Sequence, residues 1–298
     1  MLLTHLEYFE ALARERHFGR AAAACFITTS TMSEAVRKLE AEVGVPLVNR
    51  GKSSYQGLTA EGELFLSHSR QLLADYRRLM EDLTAAGGSL ETTVRIGVIP
   101  SGHAVAADVL ARLIECHPAV EVAWTSGLSS EQLVARLHSH ELDAAVIHPA
   151  APLTDGLDIT DTAPVRYAVV LTDSLPLASG GTVSDREYLT GADLVHLPLA
   201  LLNPDMHARV CFDRAMVDAG VPVTPSAQAD SVGALVALAA TGRWAAVVPE
   251  ETPGATSASL RTLPLIDPVV ELPTAVARLS TTPVSVLGAA LDAAGRTA

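Results

Sequence analysis

The sequence predicts an N-terminal all-α winged helix-turn-helix with a long linker helix, followed by a C-terminal α/β domain of two lobes. Three observations carry that prediction: a pair of short helical segments broken by a sharp turn between Phe18 and Gly44, a long amphipathic run beyond Thr59, and alternating β-rich and helical segments after residue 90. At 298 residues the chain allows roughly two domains. A composition of 49% hydrophobic and 18% charged residues describes a globular protein with a large core.

Ala21 to Ala24 fit a tightly packed helix, because four methyl side chains let a second helix approach closely, and β-branched Ile27, Thr28 and Thr29 then interrupt it. The second helix is expected to begin near Ser30, with Thr29 or Ser30 as N-cap, and its apolar positions Met32, Val36, Leu39 and Val43 define an inward stripe. Its other face offers Thr29, Thr31, Ser33, Glu34, Arg37 and Lys38: short donors and acceptors first, cations later. Such a face suits a major groove of double-stranded DNA, with the first turn against base edges and the later residues against phosphates. Gly44 ends the helix as a left-handed residue and Pro46 prevents its resumption. Asn49, Arg50, Gly51 and Lys52 then form a basic turn that leads through Tyr55 and Gln56 to Gly57, a β-wing whose Arg50 can enter a minor groove.

The pieces LEYFEALARERHFGRAA, TMSEAVRKLEAEVGVPL and NR followed by GLTAEGE stand in an order and spacing that resemble the LysR-type transcriptional regulators over residues 1 to about 88. The resemblance implies the docking mode of that family. Thr29 and Ser30 replace the family's usual Gln-Pro pair, and Glu34 stands where a basic or amide side chain is common, so base preference does not carry over.

The formal net charge of −13 has the wrong sign for a nonspecific nucleic-acid binder. Its distribution resolves the conflict. Residues 1–90 carry 10 Lys plus Arg against 11 Asp plus Glu, net −1, whereas residues 91–298 carry 11 against 23, net −12. Both lysines of the chain, Lys38 and Lys52, fall on the proposed DNA-reading surface.

From Thr59, as cap, a long helix is expected to about residue 84. Leu64, Phe65, Leu72, Leu73, Tyr76, Leu79, Met80 and Leu83 give it an apolar stripe too long for one domain to cover, which points to pairing with a second copy. Ala85 to Ser89 read as a hinge. Beyond it, the runs at 94–99, 120–124 and 143–148 are expected as strands separated by helices at 103–116 and 129–140, a βαβαβ pattern with a parallel sheet. A second set follows with strand-like YAVVLT, DLVHLPLALL and WAAVVP and helices near 205–219 and 231–241. PVVELPTAVARLS (268–280) reads as a strand returning to the first lobe, before a last helix at 284–294. The chain would then cross between lobes near 162–166 and 264–272. The domains are expected as 1–58 for the winged helix-turn-helix, 59–88 for the linker helix and hinge, and 91–298 for the α/β part. Lobe I takes about 91–163 and 267–298, and lobe II about 164–266. The resemblance implies the same layout, an effector-binding domain similar to periplasmic binding proteins.

In open α/β sheets ligands sit beyond the carboxyl ends of strands, where helix N-termini present N–H groups to anions. Pro100, Ser101, Gly102 and His103, then Gly127 to Ser130, and finally Asn203 to Met206 occupy such places. By the resemblance, Ser101 and Ser130 match positions that often hold an effector carboxylate, and Pro204 to Met206 face them. The expected effector site is therefore Ser101, Gly102, His103, Ser129, Ser130, Asn203, Pro204 and Met206, around a carboxylate or other small anion. Ser130 and Asn203 also read as ordinary caps and Pro204 as an ordinary first-turn residue.

Cys25, Cys116 and Cys211 are odd in number, far apart and embedded in apolar sequence, so they read as buried reduced thiols. His138 and His140 would point to different sides of a helix, no nucleophile elbow, phosphate loop or dinucleotide fingerprint is present, and no metal, cofactor or enzymatic role is expected. The first 16 residues alternate with helical period, and no apolar run reaches the roughly 18 residues of a membrane span. A cytoplasmic homodimer or homotetramer is expected, binding operator DNA and an effector, with no membrane contact. The alternative is a small-molecule-binding or catalytic α/β protein whose N-terminal module only oligomerises. Cations gathered at Arg37, Lys38, Arg50 and Lys52 favour the first.

Overall fold

The computed structural model describes residues 2–50, 55–176, 183–252, 254–257 and 259–296, apart from the side chains of Arg50 and Asp185. The chain divides into two compact units, one of Met1–Gly88 with Ser139–Glu141, the other of Ser89–His138 and Leu142–Ala298.

In the first unit, α1 (Leu3–Glu15), α2 (Phe18–Ala24) and α3 (Thr29–Val43) surround a core of Leu6, Phe9, Leu12, Ala21, Met32, Val36 and Leu39. The cap of α3 is Thr28, one residue before the expected pair, and its Oγ1 accepts from the Thr31 N–H at 3.2 Å. The stripe also ends early, because Val43 lies in the last turn and remains exposed. Gly44 closes the helix at φ 78°, as its position required. The wing strands β1 (Val48–Arg50) and β2 (Tyr55–Leu58) pair antiparallel. Thr59 caps α4 (Ala60–Ala86) by accepting from the Gly62 N–H at 2.9 Å. Leu66 and Leu73 turn into the core, whereas Leu64, Leu72, Tyr76, Leu79, Met80 and Leu83 are exposed along the same helix.

The second unit contains β3 (Thr93–Val98), α5 (His103–Cys116), β4 (Glu121–Ser126), α6 (Ser130–His138), β5 (Ala144–Ile147), β6 (Leu157–Asp161) and β7 (Val165–Leu171). It continues with β8 (Leu189–Thr190), α7 (Gly191–Leu194), β9 (Leu199–Leu202), α8 (His207–Asp218), β10 (Pro225–Ala229), α9 (Val232–Ala240) and β11 (Ala245–Pro249). It closes with β12 (Arg261–Asp267), β13 (Glu271–Leu272), β14 (Ala275–Leu279) and α10 (Val286–Gly295). One sheet has the order β4-β3-β5-β14-β6 and the other β10-β9-β11-β7-β12-β8, with β13 also on β7. Strands such as Ala144–Ile147 are buried at every position, which is why they read as unbroken apolar runs.

Three expectations change. The expected strands β3, β4 and β5 do pair parallel, but the sheet as a whole is mixed, since β14 returns antiparallel to both β5 and β6. The run at 193–202 is a short helix then a strand, because the capping box of Thr190 and Asp193 starts a turn that Pro198 separates from β9. The segment at 268–280 is two strands in two sheets, so the second crossing falls at Pro273 and Thr274, slightly later than the sequence suggested. There the crossings are tied together: the Thr162 N–H donates to the Thr274 carbonyl at 3.0 Å and the Thr274 hydroxyl to the Ala163 carbonyl at 2.8 Å. The thiols also differ from expectation: Cys116 is exposed on α5, Cys25 and Cys211 are half-buried, and none is bonded to another.

Candidate functional site

The N-terminal surface is held by hydrogen bonds between α3, the wing and the start of α4. Glu40 Oε1 accepts from the Leu47 and Val48 N–H groups at 3.1 and 3.2 Å, which sets the path from α3 into the wing. Asn49 Nδ2 donates to the Leu58 carbonyl at 2.8 Å across the strands. The Thr59 hydroxyl donates to the Pro46 carbonyl at 2.7 Å, and a Cβ at Gly62 would stand 2.0 Å from the Leu47 carbonyl oxygen. Glycine is the residue that permits this approach.

On that frame Thr29, Ser30, Thr31, Glu34, Arg37 and Lys38 are exposed on α3, with Ser33 half-buried beside them. The structure thus gathers the predicted α3 residues on one face. The Thr28 hydroxyl lies 2.7 Å from Ser30 Oγ and 2.8 Å from Thr31 Oγ1, a small hydroxyl cluster at the start of the helix. Lys38 Nζ pairs with Glu34 Oε1 at 3.2 Å, an exposed ion pair of adjacent turns. The Arg50 side chain and Lys52 lie outside the described residues.

A narrow, partly open cleft in the second unit, with about 20 Å³ of room, is lined by the ends of β3, β5 and β9 and the starts of α6 and α8. Ser101, Ser129, Ser130 and Met206 are among its lining residues, as expected from the strand ends they follow. Gly102, His103, Asn203 and Pro204 are not. Gly102 packs below, where a Cβ would stand 2.7 Å from Val146 Cγ1, and His103 turns towards Trp124, ring centres 5.8 Å apart. Burial lowers the His103 pKa. The Asn203 N–H donates to the Ala229 carbonyl on β10 at 2.9 Å.

Two histidines complete the cleft, and sequence reasoning passed over both. His148 follows β5 and is 3% exposed; His207 opens α8, with ring centres 5.5 Å apart. Their signal was position, since both sit at the carboxyl end of a strand or the start of a helix facing it. His148 Nδ1 lies 2.8 Å from the Pro273 carbonyl and Nε2 lies 2.8 Å from Ser101 Oγ. Its backbone N–H donates to Ser130 Oγ at 3.1 Å. Burial pulls its pKa down to about 4. A carbonyl only accepts, so Nδ1 carries the proton, Nε2 is bare, and Ser101 must donate to it. The Tyr167 hydroxyl is buried beside Ser101 without a well-formed hydrogen bond; burial raises its pKa, and the Ser101 hydroxyl pulls it back in part. At the start of α6 the Glu131 carboxyl is held below the usual range by the Ser129 hydroxyl and by its own N–H.

Comparison with known proteins fits these two regions. The description "Bacterial regulatory helix-turn-helix protein, lysR family" matches residues 3–63, and "LysR substrate binding domain" matches residues 87–293. The chain belongs to the LysR family. It is 33% identical over 148 residues to a hydrogen peroxide-inducible genes activator of Dickeya chrysanthemi, covering 49% of this chain and 48% of that protein. It thus spans about half the length of such curated relatives. The HTH-type transcriptional regulator AlsR of Bacillus subtilis is 30% identical over 200 residues, 67% of this chain and 63% of that one. A full-length OxyR from Pseudomonas aeruginosa superposes with a TM-score of 0.74 at 24% identity, covering 99% of this chain and 95% of its own. CbnR in complex with its target DNA gives 0.71 at 19%, covering 100% and 99%; these likenesses are of fold.

Among the described residues no helix is long and apolar enough to cross a membrane, and no group of three or more His, Cys, Asp or Glu could hold a metal ion.

Proposed function

We propose that the chain is a sequence-specific, ligand-responsive transcription regulator and not an enzyme. Residues 1–58 bind operator DNA, 59–88 pair two copies, and 91–298 hold a small effector, with lobe I at about 91–163 and 274–298 and lobe II at about 164–273. The observation that carries this reading is α3: one face buried on Met32, Val36 and Leu39, the other exposing hydroxyls at its start and Arg37 and Lys38 a turn later. Thr31, Ser33 and Arg37 then act inside the major groove with Thr29, Ser30, Glu34 and Lys38 beside them, while Arg50 and Lys52 hold the backbone or a minor groove. The exposed apolar residues of α4 support a dimer, with a tetramer formed through further copies, in the cytoplasm.

The effector reading rests on the cleft at Ser101, Ser129, Ser130, Met206, His148 and His207. Ser101 reaches the lobe crossing at Pro273 through the His148 ring, so an occupant touching Ser101 is two hydrogen bonds from the crossing. An effector shifts the lobes only if it binds one arrangement more tightly than the other. Reversible binding is preferred to cysteine oxidation, despite peroxide-inducible relatives, because burial raises the Cys211 thiol and so disfavours the thiolate that oxidation needs.

The test is selection of genomic DNA fragments by the purified protein, followed by Arg37→Ala on the selected site. Wild type should enrich a discrete sequence, and Arg37→Ala should weaken it by about 10- to 100-fold, as expected for 1 to 3 kcal/mol at a base or phosphate contact. Failure to enrich any sequence would reject the regulator reading.

A further inference from the structure

The polar groups around the cleft face the wrong way for an anion. Ser101 donates its proton inward to His148 Nε2, and Ser129 is taken up by the first turn of α6, where its Oγ accepts from the Gln132 N–H at 3.3 Å and its hydroxyl holds the Glu131 carboxyl low. Among the described residues no Lys or Arg lines the cleft, whose walls include Ile99, Leu128, Leu202 and Ala208. A carboxylate placed there would lose its hydration with His207, beside the neutral His148, as the one cationisable side chain among the lining residues, and it would meet the lone pairs of Ser101 Oγ. What Ser101 offers to an occupant is an acceptor. The Tyr167 hydroxyl, 4% exposed, stands beside the same oxygen and interacts with it without completing a well-formed hydrogen bond.

We infer that the cleft takes a small uncharged molecule bearing a hydroxyl group, whose O–H donates to Ser101 Oγ, in place of the anion expected from sequence. This rests on the cleft being the effector site. His148 is the positioning residue: held by the Pro273 carbonyl, its bare Nε2 fixes the Ser101 proton and makes the oxygen the outward acceptor. A hydroxyl satisfies the site because it carries both a donor for Ser101 and an acceptor for a neighbouring O–H. A carboxylate carries acceptors alone.

Two measurements on the full chain test this. Long-range nitrogen–proton spectra of histidine-labelled protein should show His148 with Nδ1 protonated and Nε2 bare from pH 8 to pH 5; a proton on Nε2 at pH 7 would overturn the relay. Matched probes at equal millimolar concentration then separate the ligand classes, benzyl alcohol against benzoate and propane-1,2-diol against lactate. At least one alcohol should move the His148 Nε2 signal and raise the melting temperature, while its carboxylate does neither. Ser101→Ala should weaken the alcohol about tenfold, the loss of one hydrogen bond, and Ser101→Thr, which keeps the hydroxyl, should restore it. Should Ser101→Ala fail to fold, Ser101→Thr and the His148 signals still report the contact. A carboxylate that moves His148 would overturn the inference, as would silence of every probe. The regulator reading fails separately, in the DNA selection.

Discussion

The start of α3 and the cleft are built from the same residue types used in opposite ways. On α3, Ser30 and Thr31 are exposed and joined through Thr28, so their remaining donors and acceptors face water. In the cleft, Ser101 and Ser130 are 4% and 2% exposed and hydrogen-bond to the side chain and backbone of His148. An exposed hydroxyl face keeps its choice of partner until contact, which suits reading a varied groove edge. A buried and fixed hydroxyl has one orientation left, which suits recognition of one small chemical group. The contrast extends to charge, since α3 carries Arg37 and Lys38 and the cleft is lined by neither Lys nor Arg among the described residues.

The largest effect is expected where surface is left uncovered. Leu72→Asp with Leu79→Asp alters two exposed positions of α4, so the monomer fold should persist while dimers vanish, with operator affinity falling on the order of a hundredfold or more through lost avidity. A double mutant that sediments and binds as wild type would show that these residues do not pair copies.

The next prediction sharpens the buried side of the comparison. His148 is neutral in the folded state to about pH 4, against a reference of 6.5. Between those values the unfolded chain takes up a proton that the folded chain refuses, so stability should be full above pH 6.5 and fall by roughly 3 kcal/mol as pH drops towards 4. His207 and Glu131 share the surroundings, so the contribution is read as the difference from His148→Gln, which cannot titrate. Equal slopes in urea unfolding of the two proteins across this range would place the titration elsewhere.

The smallest effect belongs to the exposed pair on α3. Glu34→Gln removes the partner of Lys38 at a cost in stability of less than about 1 kcal/mol. It should nonetheless raise nonspecific DNA affinity and steepen its salt dependence by about one unit, because one more ammonium becomes available to phosphate. An unchanged salt slope would mean that Lys38 already contacts the backbone with Glu34 in place.

What could be read in advance follows the same division. Helix α5 was expected at 103–116 and is found at His103–Cys116, because its apolar period and glycine start are local signals. The exposed face of α3 was legible for the same reason, as periodicity places it without knowledge of the rest of the chain. The run at 193–202 was misread because an apolar stretch does not distinguish a buried turn of helix from a buried strand. His148 was passed over because its role depends on Pro273, 125 residues later, and on Ser101, 47 residues earlier. No local pattern carries a tautomer. The inward direction of the Ser101 proton is likewise set by His148 and could not be read from the position of Ser101 at a strand end.

The close approach at Gly62 has a mechanical consequence. With the Leu47 carbonyl filling the space of a side chain, and Thr59 bonded to both Pro46 and Leu47, the wing base and the first turn of α4 have no slack between them. Helix α4 has 27 residues, about 40 Å of rod at 1.5 Å per residue. Pivoted at its far end by about 10°, such a rod sweeps its near end through about 7 Å, close to two base-pair steps of 3.4 Å. Any tilt of α4 is therefore passed to the wing base undiminished, and Gly62 is the position at which a side chain would break that coupling.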